Sequence, residues 1–243
     1  MMKDQFYNQM IQVIDRMPFR NRIVVAGRRF GYNRLPSNKL SSVLGGHELS
    51  LGKQAKTLSK TQIDGALGYI ARTRHPKRNR VILLLSVKAG FRAKEIASLT
   101  WDMVTGSNGQ IGDAIHLRDV VSKGKSGRIV PMNRDLRNAL IDLHSEQRRG
   151  RPSRFVVTTE RVTETSSQAI VNLFARWFRA LGCYGCSSHS GRRTFITNAA
   201  RKISTVGGSL RDVQMLAGHS ALTMTQRYID SDAAAQRKIV DII

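Results

Sequence analysis

Apolar positions along the chain change their spacing several times, and each change marks a new element. Up to about residue 58 they show little sustained period. A short helix candidate at 5–17 is followed by Pro18, the stretch Gly27-Arg28-Arg29-Phe30-Gly31, Pro36 and Gly45-Gly46. From Ser59 the pattern sharpens. Ser59-Lys60-Thr61-Gln62 has capping-box spacing ahead of Ile63, Ala66, Leu67 and Ile70, which fall on one helical face. Residues 78–89 predict a second helix, buried to judge from Val81-Ile82-Leu83-Leu84-Leu85, and after Gly90 a third covers 93–99. The period then shortens. Segments 114–117, 120–122 and 128–132 read as strands, with Gly124 and Gly127 supplying a tight turn, so a small antiparallel sheet is expected.

Helical spacing returns with Leu136, Leu140 and Leu143, and Phe155-Val156-Val157 is a brief extended piece. Thr165-Ser166-Ser167-Gln168 again has capping-box spacing, before the core stripe Ile170, Leu173, Phe174, Trp177, Phe178 and Leu181 and the stop at Gly182. Further helices are predicted over 191–202, over 209–217 with Gly218 as its end, and over 220–228. No repeat of 20 to 50 residues is visible. The expected fold class is mainly α with a small antiparallel β-sheet, α+β. The expected domains are a short basic arm or very small module at 1–58 and a compact domain at 59–243. A tail from about 233 ends in Ile239, Val240, Ile242 and Ile243, which need burial on their own domain or on a neighbour.

Composition narrows the partner. Forty Lys and Arg against seventeen Asp and Glu give the 243 residues a formal charge of +23, which points to a polyanion. The arm alone carries ten basic and three acidic residues. The longest apolar run, 81–85, falls far short of the ~18 residues of a membrane span, and the N-terminus lacks a signal-peptide pattern. A cytoplasmic protein is expected, with no membrane partner. Two cysteines cannot supply a disulfide framework. Cys183-Tyr184-Gly185-Cys186 followed by His189 has partial zinc-site spacing but no evident fourth ligand, so a reduced structural pair and no bound metal are expected.

Four segments set reactive polar groups beside apolar helices. Gly90-Phe91-Arg92-Ala93-Lys94-Glu95 puts an Arg at a helix mouth with a Glu one turn on, able to grip phosphate oxygens or merely to form a helical ion pair. Ser122-Lys123-Gly124-Lys125-Ser126-Gly127-Arg128 is a basic turn without P-loop spacing, catalytic or simply solvated. His189 and Arg192 share a face at a helix N-terminus, where an anion is favoured and where a histidine can also serve as a plain cap. His219 stands nine residues before Tyr228, itself a nucleophile or a packing residue.

Taken together, Arg92, Lys123, His189-x-x-Arg192, His219 and Tyr228, in this order, resemble the tyrosine recombinase family, also called the phage integrase family. The matching text runs from Ala89 to Trp101, through Lys123 and Val130-Pro131-Met132, to His189-Ser190-Gly191-Arg192-Arg193-Thr194-Phe195 and Leu216-Ala217-Gly218-His219-Ser220. Thr223 and Thr225 precede Tyr228, and the resemblance covers about 59–232.

The resemblance implies a catalytic domain of that family and a site-specific recombinase, an integrase or resolvase of a bacterial mobile element. Tyr228 would be the nucleophile, forming a 3′-phosphotyrosyl link and freeing a 5′-hydroxyl. A phenol of pKa about 10 is roughly one part in a thousand ionised at pH 7, so it needs help, and His189 matches the general base. Arg92 and Arg192 would hold the non-bridging oxygens, Lys123 would protonate the leaving oxygen with Lys125 as its rival, His219 would donate to the phosphate, and Glu95 would orient the group. No cofactor is implied.

Arg28, Arg29, Lys125, Arg128 and Arg193 are the expected DNA contacts. The implied partners are double-stranded DNA, further copies of the chain in a tetramer on paired sites, and an accessory DNA-binding protein, since only some 58 residues precede the domain where many members carry a longer clamp. Arg193 replaces a frequent second histidine, and Ala217 a frequent Leu. A type IB topoisomerase and a catalytically silent DNA-binding protein are the competing readings.

Overall fold

The computed structural model describes residues 55–119, 127–150, 152–160, 164–229, 237, 240 and 241. The predicted helix at 5–17, the strand at 120–122, most of the tail, and Arg28, Arg29, Lys123 and Lys125 lie outside the described residues.

Helix α1 (Lys60–Ile70) starts where its capping signal stands. Ser59 Oγ accepts from Gln62 N at 3.1 Å, and Gln62 Oε1 accepts from Ser59 N at 2.9 Å. Helix α2 (Pro76–Ala89) begins before the expected residue 78 because Pro76, with its φ already set, opens the first turn. Its Val81–Leu85 run is buried all round, and it packs against α1 and two later helices, α4 (Arg134–Arg149) and α6 (Ser190–Lys202). Gly90 ends α2 at φ 67, and a side chain there would meet the Phe195 ring at 2.5 Å.

Helix α3 (Ala93–Ala97) is shorter than the expected 93–99. Tertiary pairing takes over: Leu99 O accepts from Val156 N at 2.9 Å, and Thr100 forms a β-bridge with Phe155. Strands β1 (Ala114–Leu117) and β2 (Arg128–Pro131) form the antiparallel pair among the described residues, with Ile115 opposite Val130 and Leu117 opposite Arg128. Ile115, Leu117 and Val130 face the core, and Ile129 faces out.

Helix α5 (Ser167–Ala180) carries the core stripe and stops before Gly182, which has φ 66. Its cap is Ser166, whose Oγ accepts from Ala169 N, and not Thr165. The Thr165 hydroxyl is committed instead to Val157 O at 2.9 Å. Helix α7 (Leu210–Ala217) opens with Asp212 accepting from Ser209 N and Oγ, and ends at Gly218. Helix α8 (Leu222–Gln226) is shorter at both ends than the expected 220–228. A large cluster around α2 and α5 forms the main core, and Ile196, Val213 and Ala217 form a second, against which Tyr228 packs.

The two helices that matter most for the site, α2 and α6, meet without room for a methyl group. A Cβ on Gly191 would lie 2.2 Å from Ser86 Oγ and 2.9 Å from its Cβ. Ser86 Oγ has no hydrogen-bond partner among the described residues, so removing it forfeits little. Gly191→Ala is expected to cost about 1–3 kcal/mol, read as a lower urea midpoint at unchanged slope. Adding Ser86→Ala should recover part of that loss, and no recovery would mean the contact is misassigned.

Candidate active site

Three guanidinium groups gather around one carboxylate. Glu95, in the first turn of α3, is fully buried, and each of its oxygens accepts two bonds. Oε1 takes Arg92 Nη1 and Arg128 Nη1, both at 2.9 Å, while Oε2 takes Arg92 N at 2.8 Å and Arg128 Nη2 at 3.0 Å. Burial alone pushes this carboxyl up, but the bonds and charge of Arg128, with those of Arg92, outweigh it and hold it below the usual carboxylate range.

Arg128 therefore departs from its expected place among the DNA contacts. Its side chain is only 5% exposed. The planar fork lies bidentate on Glu95, Nε donates to Leu216 O at 3.0 Å, and the group sits 5.3 Å from the Phe91 ring centroid. A phosphate would have to displace a better-placed carboxylate to reach it.

Arg192 is buried at the start of α6 and spans two helix ends. It donates from Nη1 to Gly90 O at 2.6 Å and from Nη2 to Ala217 O at 2.7 Å, the carbonyls that close α2 and α7. A cation is favoured at helix C-termini, which offsets part of the cost of burying it. Burial and the neighbouring Arg92 and Arg128 lower its pKa to about 10, so it stays charged at neutral pH. Its guanidinium retains donors beyond those two bonds, and it lines an open cleft of about 410 Å³ together with His189, Arg193, His219, Arg227 and Tyr228.

His189 is the N-cap residue of α6 but makes no side-chain capping bond, so the plain-cap reading does not hold. Its backbone N donates to Ser187 Oγ at 3.2 Å, and its ring is exposed in the cleft. His219 is 7% exposed, and its backbone is held on both sides by Gln214, which accepts from His219 N at 3.1 Å and donates Nε2 to His219 O at 2.9 Å. Burial first, then the charges of Arg192, Arg92 and Arg128, push its pKa down to about 4, leaving a neutral imidazole at pH 7.

Tyr228 is half-buried. Its ring stacks on His219 with centroids 5.5 Å apart, and Arg193 approaches the same ring to 6.0 Å. Tyr228 N donates to Thr225 O at 3.0 Å, and Tyr228 O accepts from Thr197 Oγ1 at 3.2 Å. Its phenol is near enough to act on the charge of Arg192.

Of the sequence candidates, the structure thus brings Arg92, Glu95, His189, Arg192, Arg193, His219 and Tyr228 into one neighbourhood. Cys183 and Cys186 stand apart from this grouping as unlinked thiols packed on the main core, and burial pushes the Cys186 thiol up. Two participants are visible in the sequence by position but not by role. Arg128 shares the inward face of β2 with Val130, an alternation that signals its burial. Thr225, fully buried beside His219, carries no comparable signal.

What this arrangement can do follows from its charge balance. Arg92, Arg128 and Arg192 outnumber Glu95, and a neutral histidine donor and a phenol face the same cleft. Such a site favours an anion whose charge grows during reaction, as in phosphoryl transfer.

Comparison with known proteins shows the family and the fold. The chain is 31% identical over 157 residues to tyrosine recombinase XerD of Pseudomonas putida, covering 63% of this chain and 49% of that protein. It is 30% identical over 177 residues to tyrosine recombinase XerA of Thermococcus kodakarensis, covering 71% and 57%. The chain thus spans about half the length of these relatives. Its fold matches that of the Tn1549 transposon integrase in complex with transposon right end DNA, at TM-score 0.61, 18% identity, and 85% and 70% coverage of the two chains. It also matches the XerH site-specific recombinase bound to a palindromic difH substrate, at TM-score 0.61, 19% identity, and 76% and 52% coverage. The family model of the phage integrase family spans residues 56–235, nearly the whole of the described structure, and the chain belongs to that family.

Proposed function

We propose that the chain is a site-specific DNA recombinase, an integrase or resolvase of a mobile element, which breaks and rejoins DNA through a phosphotyrosyl intermediate on Tyr228. The observation that carries this reading is the cleft that unites Tyr228 with His189, Arg192 and His219 beside the surplus of guanidinium charge.

In this reading the scissile phosphate enters the cleft and its non-bridging oxygens meet Arg192 and Arg92. The Tyr228 oxygen attacks phosphorus while its proton passes to His189. The bond to the 5′-oxygen breaks, and that oxygen takes a proton from Lys123, assigned from its place in the family's hairpin. His219 donates to a non-bridging oxygen, and the arginines offset the extra negative charge of the five-coordinate transition state. Because one phosphoester replaces another, a new 5′-hydroxyl reverses the step without a nucleotide. Double-stranded DNA is the substrate, and the proposed assembly is a tetramer on paired sites with an accessory DNA-binding protein, acting in the cytoplasm on the nucleoid.

The test is a library of duplexes nicked beside candidate scissile positions, which traps a cleaved strand on the protein. Capture at one repeated sequence, with the nucleotide mapped by mass spectrometry to the peptide containing Tyr228, is the expected result. Sequence-independent capture with relaxation of any plasmid would overturn it in favour of a type IB topoisomerase. Tight DNA binding without an adduct would make the chain a silent binder.

A further inference from the structure

Thr225 has no role in the reading above, yet it touches both halves of the chemistry. Its side chain is fully buried in α8, and Oγ1 lies 2.9 Å from His219 Nδ1. Its carbonyl accepts from Tyr228 N at 3.0 Å. One residue therefore holds the imidazole through its side chain and the nucleophile through its backbone.

The direction of the hydroxyl bond follows from satisfaction. Among the described residues, His219 Nδ1 is the partner recorded for Thr225 Oγ1. If the hydroxyl accepted from an Nδ1–H, its own proton would be left buried without an acceptor. If it donates to Nδ1, only spare lone pairs remain unused, which is the cheaper omission. The donating arrangement makes Nδ1 the acceptor and leaves the single proton of the neutral ring on Nε2. The ring itself is buried and stacks on Tyr228 with centroids 5.5 Å apart, packing that opposes its turning around to reverse the assignment.

We propose that Thr225 is a positioning residue that fixes His219 as the Nε2-protonated tautomer, presenting a ready donor to the cleft. This rests on the phosphodiester reading for its consequence but not for its geometry. The donor is aimed before substrate arrives, so no tautomer exchange is needed at the moment of reaction.

The experiment uses the full chain with 15N-labelled histidine at neutral pH, compared with Thr225→Val, which keeps the shape, and Thr225→Ser, which keeps the hydroxyl. In the wild type the nitrogen pattern of His219 should show an unprotonated Nδ1. Thr225→Val should give a mixture of tautomers, and Thr225→Ser should restore the single form. A protonated Nδ1 in the wild type, or an unchanged pattern in Thr225→Val, overturns the proposal. On saturating nicked duplex, Thr225→Val should cleave about tenfold more slowly, as the loss of one ordering hydrogen bond implies, with DNA affinity preserved and Thr225→Ser recovering the rate. Equal rates for wild type and Thr225→Val would overturn the catalytic consequence. A wild type that captures no DNA overturns the phosphodiester reading instead, while the nitrogen pattern still decides the role of Thr225.

Discussion

Tyr228→Phe is expected to abolish covalent capture of nicked DNA while leaving DNA affinity within about twofold, because in the proposed mechanism the hydroxyl contributes the attacking atom and little of the binding surface. The substitution is a narrow one in this structure. The ring stacked on His219 and approached by Arg193 persists, and so do the backbone bonds to Thr225 and Thr197. The melting temperature should therefore move by no more than about 2 °C. Tyr228→Ala would confuse the result, since the ring also packs on the second apolar cluster. Adduct formation by the Phe variant at the wild-type rate would remove Tyr228 from the role of nucleophile. The steep fall of affinity with salt that Lys and Arg contacts impose should be shared by both proteins.

The second large effect concerns folding. Glu95→Ala leaves Arg128 charged, buried and without its carboxylate, and losses of about 3–5 kcal/mol are usual when one member of a buried pair is removed. Among the described residues, Arg128 then keeps its bond to Leu216 O and no other hydrogen bond. Equilibrium unfolding in urea should show the loss directly. Glu95→Leu combined with Arg128→Met should recover most of the stability, because no charge is then stranded. The same double variant should remain inactive in capture, since Arg92 loses the carboxylate that holds its guanidinium. Recovery of activity along with stability would show that Glu95 serves the fold alone.

The pH dependence carries the same signature. The folded-state pKa of Glu95 is depressed below its unfolded value of about 4.3, so the folded chain binds fewer protons in that range. Its contribution is complete above the unfolded value and is lost as the pH falls through the folded one. Glu95→Gln should lack this component of acid sensitivity.

Much of this organisation is legible in the chain, and the exceptions have physical causes. Ser59, Gly90 and Gly218 are local signals whose meaning does not depend on distant residues, and the helix ends fall where they stand. Thr165 is different, because two adjacent hydroxyl residues offer themselves as caps and a bond to Val157 O decides between them. Arg128 is expected on DNA because its charge type suits a phosphate, and charge type says nothing about which face of a strand a residue occupies. Its even spacing with Val130 carried that information. The site residues Arg92, Glu95, His189, Arg192, His219 and Tyr228 are recognisable as an ordered set, but periodicity and spacing do not say that they converge. Convergence is made by tertiary contacts: the close approach of α2 and α6 at Gly191, and the two helix ends joined by Arg192.

The anchoring of Tyr228 has a further consequence for ownership of the reaction. Its backbone is bonded to Thr225 and Thr197, and its phenol acts on Arg192 of the same polypeptide. If Tyr228 is the nucleophile proposed above, nucleophile and arginines come from one chain, and a single protomer holds both sides of the cleavage step. Under the proposed chemistry, association of copies would serve to choose the moment of cutting and to hand strands across. It would not be needed to lend the attacking residue.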